Sequence, residues 1–234
     1  MSMSTGGGQP AATGRRPAKR KDDRGGRPSP PRSRLQVDER RAQLLELGAE
    51  LFSAHSYDGL SVDDIAQAAG ISKGLLYHYF PSKREFYVET VRAAADQLLR
   101  ETRSANEADP ALPPLDRARR GIEAYLDYAD RHASAFSTLL RGGIGSDLEV
   151  FDIIESVRRY YVDRFMGQID FLDPTPQLRN AMRGYLGYSE GVTLDWLEHG
   201  DVPKEEVCDL LVEVLENTVS IMVARQKGKR QTSE

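Results

Sequence analysis

Leu60–Lys83 reads LSVDDIAQAAGISKGLLYHYFPSK, and its local signals decide the fold. Ser61 followed three residues later by Asp64 predicts a capping box at the start of a short helix. Val62, Ile65, Ala66 and Ala69 then recur at the spacing of one buried helical face. Gly70 stands where a helix ends in the left-handed conformation, and the apolar Ile71 can plug the turn into a core. Ser72 is a good N-cap for a second helix, Lys73 to Tyr79, anchored by Leu76 and Phe80 at i, i+4 and stopped by Pro81. Ser82 with Glu85 repeats the capping-box pattern and opens a third helix. Two short helices about a glycine turn make a helix-turn-helix, which lays its second helix in the major groove of DNA.

The side chains left outside the core suit that role. Lys73, Leu75 and His78 point away from the Leu76/Phe80 face, with Tyr77 and Tyr79 beside them and Lys83 beyond. That set holds no acidic member, whereas an ordinary solvated face of a three-helix packing unit would mix charges of both signs. Ammonium groups, tyrosine hydroxyls and capped helix N-termini are the usual partners of phosphate. The expected division is phosphate contact from Tyr77, Tyr79, Lys83 and the N-terminus after Ser82, and base-edge contact from Lys73 and His78. Gly74 lets the backbone approach, Leu75 offers apolar contact to a thymine methyl, and Ser61 and Ser72 cap the two helices at the same face.

Gly59-Leu60-Ser61-Val62 through Tyr77-His78-Tyr79-Phe80-Pro81-Ser82-Lys83 resembles the DNA-binding signature of TetR-family transcriptional regulators. Ala49, Leu51 and Phe52 ahead of Tyr57-Asp58-Gly59 fit the same pattern, so the resemblance spans Glu39 to Phe86. Leu75 departs from it, because small or hydroxyl residues are common there. Further on, Gly184 to Gly200, with its aromatics, glycines and Trp196, is similar to the penultimate long helix of such regulators. The resemblance implies an all-α fold with a helix-turn-helix head and a larger C-terminal helical domain that binds a small-molecule effector and forms a homodimer. It also implies a palindromic DNA operator and a repressor that the effector releases.

Charge is distributed unevenly. The 234 residues carry a net charge of −4, but the first 34 hold nine Lys/Arg against two Asp/Glu, and the rest hold 23 against 34. A basic arm on an acidic body suggests an anionic partner at one end. Gly26-Arg27-Pro28 in that arm resembles the core of a minor-groove hook, although Gly25 stands where a basic residue is expected. The single Cys208 cannot form an internal disulfide, which fits a reducing compartment. No apolar run reaches the roughly 18–20 residues that span a bilayer, and the N-terminus has no signal-peptide core. The expectation is a cytoplasmic protein with no membrane partner.

Composition and helical pattern divide the chain into a disordered basic extension (1–35), a helix-turn-helix domain (36–82), a larger helical domain (83–226) and a short disordered tail (227–234), and the resemblance makes 83–226 the ligand-binding and dimerisation domain. Helices are expected near 38–55, 83–103, 115–131, 133–141, 147–168, 177–198 and 204–225, besides the two of the DNA unit. Gly142-Gly143-Ile144-Gly145 reads as a helix-breaking loop.

Enzyme signatures are missing. The histidines His55, His78, His132 and His199 are scattered, with no H-E-x-x-H or C-x-x-C for a metal and no nucleophile elbow. No cofactor or metal is expected. Two other classes remain open: a DNA-binding architectural protein without a ligand, and an all-helical enzyme whose residues only the fold brings together.

The C-terminal region supplies many aromatics, and pockets for small molecules are mostly apolar with a few polar groups. Phe136, Phe151, Tyr185, Tyr188 and Trp196 are the pocket candidates, although aromatics at helical spacing also build ordinary cores. The last helix carries Val207, Leu210, Leu211, Val214, Leu215, Val219, Ile221 and Met222, a wide apolar face for one neighbour. Val207, Leu211, Val214 and Leu215 are the expected dimer contacts, with simple core packing as the alternative for each.

Overall fold

The computed structural model describes residues 32–141, 147–169 and 172–231. The basic arm before Arg32, the glycine loop at 142–146 and the last three residues lie outside the described residues. Among those described there are nine α-helices and no strand: α1 (Arg32–Ala54), α2 (Val62–Ala68), α3 (Lys73–Tyr79), α4 (Lys83–Glu107), α5 (Pro114–Arg131), α6 (Ala133–Arg141), α7 (Leu148–Gln168), α8 (Pro176–His199) and α9 (Lys204–Gln231). No helix of the described residues is long and apolar enough to cross a membrane.

The head is α1 to α3 closed by the first turns of α4. Its core is Leu44, Leu45, Phe52, Leu60, Ile65, Ala66, Leu76, Phe80 and Phe86. Phe80 and Phe86 are almost fully buried and meet edge-on at 4.9 Å between centroids, each burial being worth about 1.5–3 kcal/mol. Gly48 lets α1 lie close on α4. A Cβ there would stand 2.5 Å from Thr90 Oγ1 and 2.8 Å from a Phe86 ring carbon.

The body packs α5, α7, α8 and α9 around Ile122, Leu126, Val162, Leu178, Met182, Tyr185 and Leu211. A small third cluster, Val88, Val91, Val150, Ile153 and Ile154, joins α4 to α7 between head and body. Pro176 opens α8 behind the Thr175 cap, and Gly200 ends it at φ 61°.

Three helices outrun the expected ends. α1 begins at Arg32 rather than at 38, because its first residues are ordinary helix formers that carry no boundary signal. α4 continues past Arg103 to Glu107, with an Arg103–Glu107 pair at 3.2 Å and the buried Asn106 amide donating to Arg117 O at 2.9 Å. α9 passes 225 to reach Gln231, and Gln226 exchanges two 2.9 Å hydrogen bonds with the Asp173 backbone. So residues 32–35 and 227–231, taken from composition as parts of disordered ends, are helical.

Candidate nucleic-acid interface and ligand cavity

The turn between α2 and α3 is built as its residues specify. Ser61 Oγ accepts from Asp64 N at 3.1 Å and the Asp64 carboxylate accepts from Ser61 N at 2.9 Å, completing the capping box. The Ser61 hydroxyl, which donates to Asp64 Oδ2 at 2.6 Å, and then Ser61 N hold the Asp64 carboxyl below the usual carboxylate range. α2 ends in a Schellman motif: Ile71 N donates to Ala66 O at 3.0 Å, Gly70 N donates to Gln67 O at 3.1 Å, and Gly70 takes φ 62°. Arg40 reaches from α1 to Ala69 O at 3.2 Å, placing a cation on the C-terminus of α2. Ser72 Oγ accepts from Leu75 N at 3.2 Å and caps α3. Ser82 Oγ accepts from Glu85 N at 3.0 Å, the first half of the second expected box.

α3 presents the expected face. Leu76 is buried, while Ser72, Lys73, Gly74, Leu75, Tyr77 and His78 are exposed. Leu75 and Tyr77 are exposed to 40% and 43% on this face. Tyr79 is half-buried, with its ring edge-on to His78 and tilted against Phe80. Lys83 lies with Nζ 4.2 Å from the Tyr57 ring centroid, and Tyr57 belongs to an aromatic cluster with Phe52 and Tyr87.

One expectation about this face is corrected. It does hold an acid: Lys73 Nζ donates to Asp63 Oδ2 at 2.9 Å, and that contact raises the Lys73 pKa. Asp63 lies in the first turn of α2, ten residues away, and only the turn geometry brings the two together.

Below the head, Arg84 Nε and Nη2 bond the two oxygens of Asp147 at 2.7 and 2.9 Å, and Nη2 also reaches Glu149 at 3.1 Å. Arg92 adds a 2.9 Å bond to Glu149. Asp147 is also the N-cap of α7. Its carboxyl is held below the usual range, first by Arg84. Sequence reading missed this network, whose partners lie more than fifty residues apart.

Within the body, a cavity of about 70 Å3 lies between α4, α5, α7, α8 and α9, lined among others by Thr102, Asn106, Tyr125, Tyr161, Arg164 and Tyr185. It adjoins an outer chamber of about 280 Å3 that includes Pro113, Leu115, Leu215 and Val219. Ala118, Phe165 and Gln168 line both. A separate cavity of about 100 Å3 lies between α4, α6, α7 and α8.

The five aromatic pocket candidates are not brought together. Tyr185 lines the inner chamber, where its hydroxyl donates to Leu211 O at 3.0 Å. Phe136 lines the separate cavity. Phe151 and Tyr188 are exposed. Trp196 is half-buried, and its indole N–H donates to Val202 O at 3.0 Å, bracing the α8–α9 turn. Tyr125, Tyr161 and Phe165, left aside in the sequence reading, line the inner chamber.

The apolar residues of α9 fall on two sides of the helix. Val207, Leu211 and Leu215 are buried in the core of the chain itself, which removes them from any surface. Leu210 and Ile221 are exposed, and with half-buried Val214 they follow helical spacing along the adjacent stripe. Of the four expected dimer contacts, only Val214 lies on that outer stripe. Among the described residues no group of His, Cys, Asp and Glu could hold a metal.

Residues 44–90 match the family model for bacterial regulatory proteins of the tetR family, and residues 114–216 match the tetracyclin repressor-like C-terminal domain. The chain belongs to the TetR family. A solved tetR-family transcriptional regulator from Streptomyces coelicolor is 31% identical, with a TM-score of 0.67, over 80% of this chain and 82% of that one. The HTH-type transcriptional repressor KstR2 of Mycobacterium tuberculosis is 37% identical over 97 residues, covering 42% of this chain and 48% of the relative. The HTH-type transcriptional activator FasR of Mycolicibacterium smegmatis is 30% identical over 118 residues, covering 50% and 53%. The chain thus spans about half the length of these two curated relatives. As in other members of the TetR family, α2 and α3 form the helix-turn-helix of a DNA-binding head on an all-helical C-terminal domain.

Proposed function

We propose that this TetR-family protein is a cytoplasmic homodimeric repressor that grips a palindromic operator and lets go when a small molecule enters the cavity between α4 and α8. The observation that carries this reading is the course of α4. One helix of 25 residues, about 37 Å long, starts at the Ser82 cap beneath the recognition helix and ends in the cavity wall at Thr102 and Asn106. A displacement of its cavity end is delivered to the head, and the Arg84–Asp147 and Arg92–Glu149 contacts carry movement of α7 to the same place.

On DNA, Tyr77 and Tyr79 hold phosphates while Lys73, His78 and Leu75 meet base edges. Ser61, Ser72 and Gly74 set the backbone that presents them, and the basic arm before α1 adds contacts that carry no sequence information. One seven-residue helix reads few bases, so specificity comes from two copies related by a twofold axis. The outer stripe of α9, Leu210, Val214 and Ile221, together with Tyr188 of α8, forms the surface on which the copies meet.

A ligand that prefers the released form lowers DNA affinity by its differential affinity for the two forms, typically a coupling of about 1–3 kcal/mol. Operator affinity measured with and without a molecule that raises the melting temperature of the full chain tests the reading. A fall in affinity is expected, and unchanged affinity overturns the effector role of the cavity.

A further inference from the structure

The polar groups of the inner chamber are nearly all spoken for. The Tyr161 hydroxyl pairs with Thr102 Oγ1 at 2.9 Å, and the Tyr185 hydroxyl donates to Leu211 O. Ser189 Oγ donates to Tyr185 O at 2.9 Å. Arg164, the only charged residue lining the chamber, donates to Glu107 at 3.1 Å and to Asn106 Oδ1 at 2.6 Å. Gln168 donates to the same Asn106 oxygen at 2.8 Å.

Tyr125 is the exception. Its buried hydroxyl has the buried Thr193 hydroxyl as its hydrogen-bonding neighbour, but the two do not complete a bond of normal geometry. Two buried hydroxyls that satisfy each other only poorly leave room for a better hydrogen-bonding group from a ligand. Burial also drives the Tyr125 pKa far upward, so the group stays a neutral donor.

The rest of the chamber is apolar, with Ile122, Phe165, Leu186 and Leu211 in its wall. It leads past Ala118 and Phe165 to an outer chamber whose only charged lining residue is the acidic Glu216. A carboxylate or phosphate placed along this path would meet no uncommitted cation among the described lining residues, and burying an unpaired charge is expensive.

We infer that the ligand of this cavity is an uncharged, elongated, mostly apolar molecule whose single carbonyl or hydroxyl oxygen accepts a hydrogen bond from Tyr125, with its chain running past Phe165 into the outer chamber. The inference rests on the cavity being the effector site and names the chemistry that site takes.

Titration calorimetry of the full chain with dodecan-2-one, dodecane and dodecanoate tests it, with operator affinity followed in parallel. The ketone should bind about tenfold more tightly than the alkane, as expected of one buried hydrogen bond, and more tightly than the carboxylate. Tyr125→Phe should remove the advantage of the ketone and leave the affinity for dodecane unchanged, which separates a lost contact from a damaged fold. Dodecanoate binding as tightly as the ketone, a ketone advantage that survives in Tyr125→Phe, or no binding of the ketone overturns the inference. A ketone that binds through Tyr125 without altering operator affinity supports the ligand class and instead overturns the effector reading.

Discussion

Arg84 and Asp147 face each other through two near-parallel hydrogen bonds of 2.7 and 2.9 Å, and this pair joins the DNA-binding head to the body. Arg84 lies in the first turn of α4, directly after the cap that follows the recognition helix. Asp147 caps α7 by accepting from Glu149 N at 2.9 Å. One carboxylate therefore fixes the start of a body helix and the base of the head. A planar guanidinium is needed for the two-point contact, and an ammonium cannot reproduce it.

The first prediction follows from that geometry. Arg84→Lys should leave operator affinity close to wild type while weakening the response to ligand, read as a smaller ratio of affinities with and without effector. The pair is also acid-sensitive. The Asp147 pKa is lowered on folding, so its contribution is complete above the unfolded value of about 4 and is lost as pH falls through the lower folded value. Arg84→Lys should reduce the extra thermal stability that wild type gains on passing upward through that acidic window. An unchanged ligand response in Arg84→Lys would remove the pair from the coupling.

Lys73 and Asp63 make a second prediction. Asp63→Asn frees the Lys73 ammonium, so binding to DNA of any sequence should tighten and its salt dependence should steepen. Lys73→Ala should change base preference at one position per half-site, whereas Tyr77→Ala should weaken binding evenly across sequences. Anisotropy titrations on operator and scrambled duplexes at several salt concentrations distinguish these patterns. Equal behaviour of all three variants and wild type would misplace the DNA face.

Gly48 sets the α1–α4 distance. Replacing it with Ala gains about 1 kcal/mol of helix propensity but forces a methyl against Thr90 and Phe86, an overpacking cost of about 1–3 kcal/mol. Thr90 cannot step aside freely, because its Oγ1 donates to Phe86 O at 2.7 Å. Gly48→Ala should therefore lower the melting temperature, and a raised one would show that the helices separate at little cost.

Assembly and stability should separate along α9. Ile221→Asp, on the outer stripe at 54% exposure, should give folded monomers with poor operator affinity. Leu211→Asp, fully buried, should cost about 4 kcal/mol or more and unfold the chain. Sedimentation velocity and circular dichroism on the two variants read the difference. A dimeric Ile221→Asp protein would move the interface elsewhere.

How much of this was legible in the sequence depends on how local each signal is. The α2–turn–α3 unit was readable almost to the residue, because capping serines, Gly70 and Pro81 act within one turn of themselves. Helix ends at Arg32, Glu107 and Gln231 were not, because unremarkable polar helix formers mark no boundary. The cavity was readable only in kind. Tyr125 and Tyr185 are the same residue type on comparable helical stripes, and only the packed structure decides that the Tyr185 hydroxyl reaches a carbonyl while that of Tyr125 has only the Thr193 hydroxyl beside it, at imperfect geometry. The α9 face shows the same limit: Leu210 and Leu211 are neighbours in sequence but lie on opposite sides of the boundary between surface and core.

Selection of bound duplexes from a random pool by the full chain tests the central claim most directly. A dimer that reads DNA with paired α3 helices predicts enrichment of one palindrome whose half-sites lie about one helical turn, roughly 34–36 Å, apart. Enrichment of a single unrepeated half-site, or of no sequence, would contradict it.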